Sequence, residues 1–363
     1  MSNEGVGSAG RSVVVRVPVE PVEAAIEADA FDAALRNGAV AVRGPLYGVA
    51  SQRQEDGARW RVAVQITHIC PQQARDALNS LLWFRAKDDA EDRPERRALL
   101  AAVTRLETEC VDELTVLDTR YRVVRAEEYG GMDAHGDLEL PRPTDPEPLT
   151  ADGSPRAVAD GLRVDADLIL DPDAALSPVQ AAERLSLRSL VYTGTRFPAP
   201  VLRDSARAVD SHPDVLLLPA AFQIVERSGD EPWTSGSSLH ATPHGARRTL
   251  HFSLVWLEPR RRGLIPLDSN ADVDAHTTVA EGTSPAIAEL TVFAKAAAQL
   301  RAGRVNQIEV DGTTSRIVRT RRLLRWGPDG PEGPRPSDIN THPPEALHPR
   351  LDEDGTVHFD SAV

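Results

Sequence analysis

Residues 105–125, RLETECVDELTVLDTRYRVVR, recur in altered form at residues 299–319, QLRAGRVNQIEVDGTTSRIVR. Set side by side, Leu106 falls on Leu300, Val111 on Val305, Val116 on Val310, Thr119 on Thr313, Arg122 on Arg316, Val124 on Val318 and Arg125 on Arg319. Asp112, Glu113, Leu114 and Val123 change only conservatively, to Asn306, Gln307, Ile308 and Ile317. Further on, both copies carry a matching tail, Pro141-Arg142-Pro143-Thr144-Asp145 and Pro334-Arg335-Pro336-Ser337-Asp338. Unrelated windows of this length would share roughly one or two residues at average usage, so the pattern points to a duplication. A chain that contains one unit twice has to fold that unit twice and then pack the copies together. The covalent counterpart of an isologous dimer, a pseudo-two-fold body, is the expected result.

The unit reads as helix, strands, helix, two strands. Pro21 starts a helix whose Ala24, Ala25, Ala28, Phe31, Ala34 and Leu35 fall on roughly one side, and Asn37-Gly38 closes it. Strands follow at 39–42, 46–51 and 59–67, the last (RWRVAVQIT) alternating Trp60, Val62, Val64 and Ile66 against polar partners. Pro71 opens a second helix with Leu78, Leu81, Leu82 and Arg85 three or four apart, and Leu99, Val103 and Leu106 mark a third. In the second half, residues 210–226 lie on residues 36–51, placing Tyr47 on Phe222 and Val49 on Ile224, and residues 247–257 are expected to replace the strand at 59–67. Ser284-Pro285 starts a helix with Leu290, Phe293, Ala297 and Leu300 on one stripe. Adjacent strands imply antiparallel pairing, so the predicted class is α+β, each unit an antiparallel sheet with helices on one face.

The expected organisation is a disordered tail at 1–11, a first unit at 12–145 opening on a valine-rich strand at 12–19, and a Pro/Asp-rich linker at 146–197 with a helix at 178–191. A second unit spans 198–338, and an extended tail covers 339–363. Asp165, Asp167, Asp171 and Asp173 resemble fragments of a calcium loop but lack its glycine and distal glutamate, so they read as linker acidity. The most apolar stretch, Val215 to Phe222, is too short to span a bilayer. With no apolar leader in the first ten residues, a cytoplasmic protein is expected. Cys70 and Cys110, the only two cysteines, suit a reducing compartment.

A net charge of −14 argues against a surface that grips nucleic acid or anionic membrane. Within this acidic chain, Arg122, Arg125, Arg316 and Arg319 occupy equivalent places in the two copies. Guanidinium pairs could clamp a phosphate or carboxylate at the seam between them; the bland account is that they answer the abundant Asp and Glu. His240, His244 and His251 have metal-like spacing, but Pro243 and Gly245 argue against a helix there and no H-E-x-x-H is present, so loop histidines without a metal are expected. No Gly-rich phosphate motif appears, and no cofactor is expected.

The stretch 70–103, with DTRYRVVRAEEY at 118–129 and PRPTDPEP at 141–148, resembles an uncharacterised family of actinobacterial proteins classed as a domain of unknown function, over about 17–336. The resemblance implies kinship and no activity, cofactor or catalytic residue. The leading expectation is therefore a non-enzymatic interaction or regulatory protein with a protein partner. The alternative is a binder of, or enzyme on, an anionic small molecule held by the four arginines. A third, metal-dependent hydrolysis, would need His240, His244 and a carboxylate brought together.

Overall fold

The computed structural model describes residues 11–147, 163–165, 167–282 and 284–359. The first half runs α1 (Pro21–Arg36), β1 (Ala39–Arg53), β2 (Trp60–His68), α2 (Pro71–Phe84), α3 (Arg93–Thr108), β3 (Glu113–Val116) and β4 (Thr119–Met132). A two-residue strand β5 (Ile169–Leu170) and helix α4 (Pro178–Leu187) follow. The second half runs α5 (Ala199–Ser211), β6 (Asp214–Leu217), β7 (Ala221–Ser228), β8 (Thr234–Ser235), α6 (Pro243–Phe252), α7 (Glu258–Arg261), α8 (Ala275–Glu281), α9 (Ile287–Ala302), β9 (Gln307–Val310), β10 (Thr313–Gly327) and β11 (Gly330–Pro331). The tail adds a small hairpin, β12 (Arg350–Leu351) with β13 (Val357–His358).

The fold is α+β, with strands β1 to β11 joined in one antiparallel sheet whose path is β5-β2-β1-β4-β10-β7-β8. At its centre β4 and β10 run side by side, Glu128 opposite Arg322 and Ala126 opposite Leu324. Alternation along the strands sorts the core into layers. Tyr47, Val49, Tyr121 and Val123 face α2 and α3, which contribute Leu78, Leu82, Leu99, Val103 and Leu106. Phe222, Ile224 and Ile317 face α6 and α9, with Leu250, Leu290, Phe293, Ala297 and Leu300. The opposite side of the strands carries Leu46, Ala50, Trp60, Val124, Ala126, Leu324 and Trp326, packed against Val164 and Leu170. Each fully buried Val, Leu, Ile or Phe among them contributes about 1.5–3 kcal/mol relative to exposure.

Local signals place most of the helix ends. Proline occupies the first turn of α1, α2, α3 and α4, where its missing N–H costs nothing. Asp92 caps α3 by accepting the Glu95 N–H at 2.8 Å, a contact worth about 1 kcal/mol.

Several expectations are corrected. The separate strands at 39–42 and 46–51 form the single strand β1, which passes through a bulge at Gly44 (φ 145°). The proposed strand at 12–19 reduces to an isolated bridge, Val15 to Leu176, and Val14, Val15, Val17 and Val19 stay exposed because, among the described residues, no neighbouring strand receives them. Residues 247–257 do not replace β2 with a strand: they belong to α6 and a π-turn, Ser253–Leu257. Ala246, Leu250 and Leu254 recur every four residues, and that period outweighs the partial alternation of RRTLHFSLVWL. The helix at 178–191 ends at Leu187. The tail is not simply extended, since Leu351 enters the α2/α3 core and the Trp83 indole donates to the Pro349 carbonyl at 3.2 Å. Residues 1–10 of the expected disordered tail lie outside the described residues.

The apolar side of helix α1 faces away from the body. Ala24, Ala25, Ala28, Phe31, Ala34 and Leu35 are all exposed, while Ala33 is buried and Glu23, Glu27 and Asp29 are half-buried toward the body. Those acids explain the orientation. Glu27 accepts the N–H of Val179 at 2.7 Å, and Asp29 accepts the amide and hydroxyl of Thr144.

Candidate functional site

The two arginine pairs lie on the long central strands, and residues three apart on a strand point to opposite faces. Arg122 is held by Glu113 at 2.7 Å, by Asp329 at 2.5 Å and by the carbonyls of Asp329 and Pro331, and it covers the Trp60 ring at 5.2 Å. Arg125 is buried between Asp338, 3.0 Å from its Nε, and Glu127. Arg316 meets Asp137 at 3.0 Å and stacks on Trp233 at 4.7 Å. Arg319 meets Asp145 at 3.1 Å, and its buried Nη1 has no partner among the described residues.

Register keeps these four side chains apart. Arg122 lies six residues before Glu128, and Arg316 six before Arg322, on strands that run in opposite directions from that facing pair. The twelve-residue offset is roughly 40 Å at about 3.3 Å per residue, and the six-residue offset between Arg125 and Arg319 is roughly 20 Å. Two open depressions, 370 Å³ beside Glu226 and Thr313 and 240 Å³ beside His212 and Glu332, have none of the four arginines in their walls.

The arginines instead organise buried charge. Glu127 receives Arg125, Arg335 at 3.0 Å and the Tyr192 hydroxyl. Burial alone would push its carboxyl up, but Arg125 and Arg335 bring it below the ordinary glutamate range. Burial pushes the Tyr47 and Tyr192 phenols well up, so both stay protonated donors. Burial pushes Arg319 down, since Asp145 only partly compensates.

The histidine cluster is dispersed. His240 sits opposite Phe222 in an isolated bridge, and His244 and His251 lie on α6. The segment is helical, against expectation, because Thr242 caps it by accepting the Gly245 N–H at 3.0 Å and Pro243 fits the first turn. Burial lowers the pKa of all three. Among the described residues no group of three or more His, Cys, Asp or Glu is placed to hold a metal ion.

Two features escaped the sequence reading. Asp165, read as linker acidity, is buried against Arg322 with contacts of 2.5 and 2.9 Å, and it also accepts the Ile66 N–H at 3.1 Å. Its only signal was the alternation of Asp with apolar residues at 164–170. The second is the direction of the α1 stripe, which faces outward. Ala24, Ala28, Phe31 and Leu35 follow a 4-3-4 spacing, the seam spacing of a helix that packs on another helix. Phe31 is 55% and Leu35 70% exposed. Glu20 and Asp32, both exposed, flank the stripe with acidic charge.

A family model described as a family of unknown function (DUF5954) matches residues 20–341, and the chain belongs to that family. No curated protein and no solved structure matches the chain. Among the described residues no helix is long and apolar enough to cross a membrane.

Proposed function

We propose that this member of the family is a non-enzymatic interaction module that receives an amphipathic partner helix, basic at its flanks, along α1. The observation that carries the reading is the outward stripe of α1: Glu27 and Asp29 tie one side of the helix to the body beside the buried Ala33, and Ala24, Ala28, Phe31 and Leu35 face outward at seam spacing. Small residues at the first two positions permit close approach, and Phe31 and Leu35 supply the apolar area. A second copy of the chain fits this face less well, because its own acidic flanks would oppose those of the first. Residence in a reducing compartment such as the cytoplasm agrees with two free thiols.

The test is binding of a labelled amphipathic helix with leucine at the seam and lysine at the flanks, read by fluorescence anisotropy. Phe31→Asp/Leu35→Asp is expected to weaken binding at least tenfold, since losing one such burial removes about 1.5–3 kcal/mol and 1.4 kcal/mol is a factor of ten. Equal affinity for parent and variant overturns the reading. So does light scattering that finds a dimer dissolved by the same variant, which would assign the face to a second copy.

We infer further that the body is one ancestral unit folded twice about a near-dyad. Val116 pairs with Thr119 and Glu113 with Arg122, as Val310 pairs with Thr313 and Gln307 with Arg316. Tyr47 stands opposite Arg125, and Phe222 opposite Arg319. The tails are exchanged, so that Arg125 meets Asp338 and Arg319 meets Asp145. Arg75 binds Asp112 and Asn340, and Arg247 binds Asn306 and Glu147. Glu128 and Arg322, equivalent in the sequence repeat, face each other where such an axis would pass. Destabilisation by both Asp145→Ala and Asp338→Ala would support the inference; a loss confined to one would count against it.

A further inference from the structure

The first turn of α2 is closed over by the C-terminal tail, and the closure is built from reactive side chains. Cys70 holds the N-cap position of α2 and is 1% exposed. Its Sγ lies 3.3 Å from the Thr341 hydroxyl oxygen, which lies 2.9 Å from Nδ1 of His342. Nε2 of His342 is 2.7 Å from Asp76 Oδ2, one turn further along α2. The contacts form a continuous chain from thiol through hydroxyl and imidazole to carboxylate, the sequence of roles seen where a nucleophile is activated by an oriented base. The sulfur is covered, whereas the His342 and Asp76 side chains are 32% and 19% exposed, so the outer contact is reachable by solvent. On either side the tail is anchored, by Arg75 donating to Asn340 at 3.1 Å and His348 meeting Ser80 at 2.9 Å.

Electrostatics agree with the geometry. Burial pushes the Cys70 thiol up, but the Thr341 hydroxyl and the N–H groups of Gln73, Thr341 and Gln72 together bring it below its ordinary value. A hydrogen bond to Asp76 raises His342, with Cys70 and Glu345 acting in the same sense. His68, Asp76 and Glu345 are the other titratable groups around this corner, while Arg75 and Cys110 border it through Asn340. Cys110, by contrast, is exposed.

We propose that Cys70 is a gated nucleophilic thiol, a modification site for small hydroperoxides, covered by residues 340–342 and latched by the contact between His342 and Asp76. When the strap parts, the thiolate attacks the nearer oxygen of the hydroperoxide. An S–O bond forms, the O–O bond breaks, sulfur is oxidised to the sulfenic acid and the peroxide is reduced. The departing alkoxide or hydroxide takes the proton of the His342 imidazolium, leaving as alcohol or water. The latch histidine is then neutral, so its attraction to Asp76 falls and the opened strap recloses less readily.

The experiment uses the full chain, with hydrogen peroxide as oxidant and dimedone to trap the sulfenic acid, and reads Cys70 in a Cys110→Ser background and Cys110 in a Cys70→Ser background by mass spectrometry. Cys70 is expected to oxidise at least tenfold faster at pH 7 despite its burial. Iodoacetamide reports opening: His342→Gln and Asp76→Asn should each raise alkylation of Cys70 severalfold, while His342→Gln lowers the ratio of peroxide to iodoacetamide reactivity. Circular dichroism melting identifies a variant that has lost its fold, and the second latch variant then decides. Oxidation of Cys70 no faster than Cys110 overturns the activation. Unchanged alkylation in the folded latch variants overturns the gate.

Discussion

The pair of Asp165 and Arg322 is the strongest single test of how this body is held together. Both side chains are wholly buried, with Nη1 to Oδ2 at 2.5 Å and Nη2 to Oδ1 at 2.9 Å, and the guanidinium also donates to the carbonyls of Ile66 and Pro219. Asp165→Ala leaves that cation inside the sheet with two carbonyls and no counter-charge, and strips the Ile66 N–H of its acceptor. Removing one partner of a buried pair costs about 3–5 kcal/mol. At a urea dependence of about 3 kcal/mol per molar, the unfolding midpoint should fall by roughly 1–1.7 M. Replacing both partners, Asp165→Leu with Arg322→Met, should recover most of the loss, because the cost lies in the uncompensated charge and not in the missing attraction. Equilibrium urea unfolding followed by tryptophan fluorescence measures all three. A loss below about 1 kcal/mol for Asp165→Ala, or a double variant no better than the single one, refutes the reasoning.

Arg125→Met should destabilise more than Arg319→Met in thermal unfolding, because the first removes a cation shared by two buried carboxylates, Glu127 (which keeps Arg335) and Asp338, and the second removes one that serves Asp145 alone. The Glu127 carboxyl, depressed in the folded state by Arg125 and Arg335 against the opposing effect of burial, contributes stability that is present above the unfolded glutamate value of about 4.3 and is lost as pH falls through the lower folded value. An acid titration by circular dichroism should therefore show a steeper limb below about pH 4 for the parent than for Glu127→Gln. Gly48→Ala should cost about 1–3 kcal/mol, since a Cβ there would meet the carbonyls of Val64 and Gln65 and the Ile66 Cα at 2.7 Å; an unchanged melting temperature would show that β1 and β2 can part. Phe31→Asp with Leu35→Asp should leave stability within about 0.5 kcal/mol, as expected of exposed positions.

What could be read from residues alone was local. Leu99, Val103 and Leu106, and likewise Leu290, Phe293, Ala297 and Leu300, are spaced for one helical face and are buried on it. The two strands that end each unit were legible because alternation acts over a few positions. Residues 247–257 went astray for the same reason: a short apolar run fits either period, and the Thr242 cap that decides it lies upstream of that run.

Direction and partnership were decided only by the tertiary structure. The stripe of α1 was visible, but a hydrophobic period says that one side differs from the other, not which side meets the body; Thr144 and Val179, more than 100 residues away, turn the acids inward. Arg122, Arg125, Arg316 and Arg319 were found as repeated residues, yet their carboxylates at 113, 127, 137, 145, 329 and 338 come mostly from distant segments, and a strand register of roughly 3.3 Å per residue separates what the repeat had seemed to bring together. Asp165 looks like any linker acid until Arg322 is placed beside it, because the environment that makes a charge structural is supplied by chain far from it in sequence.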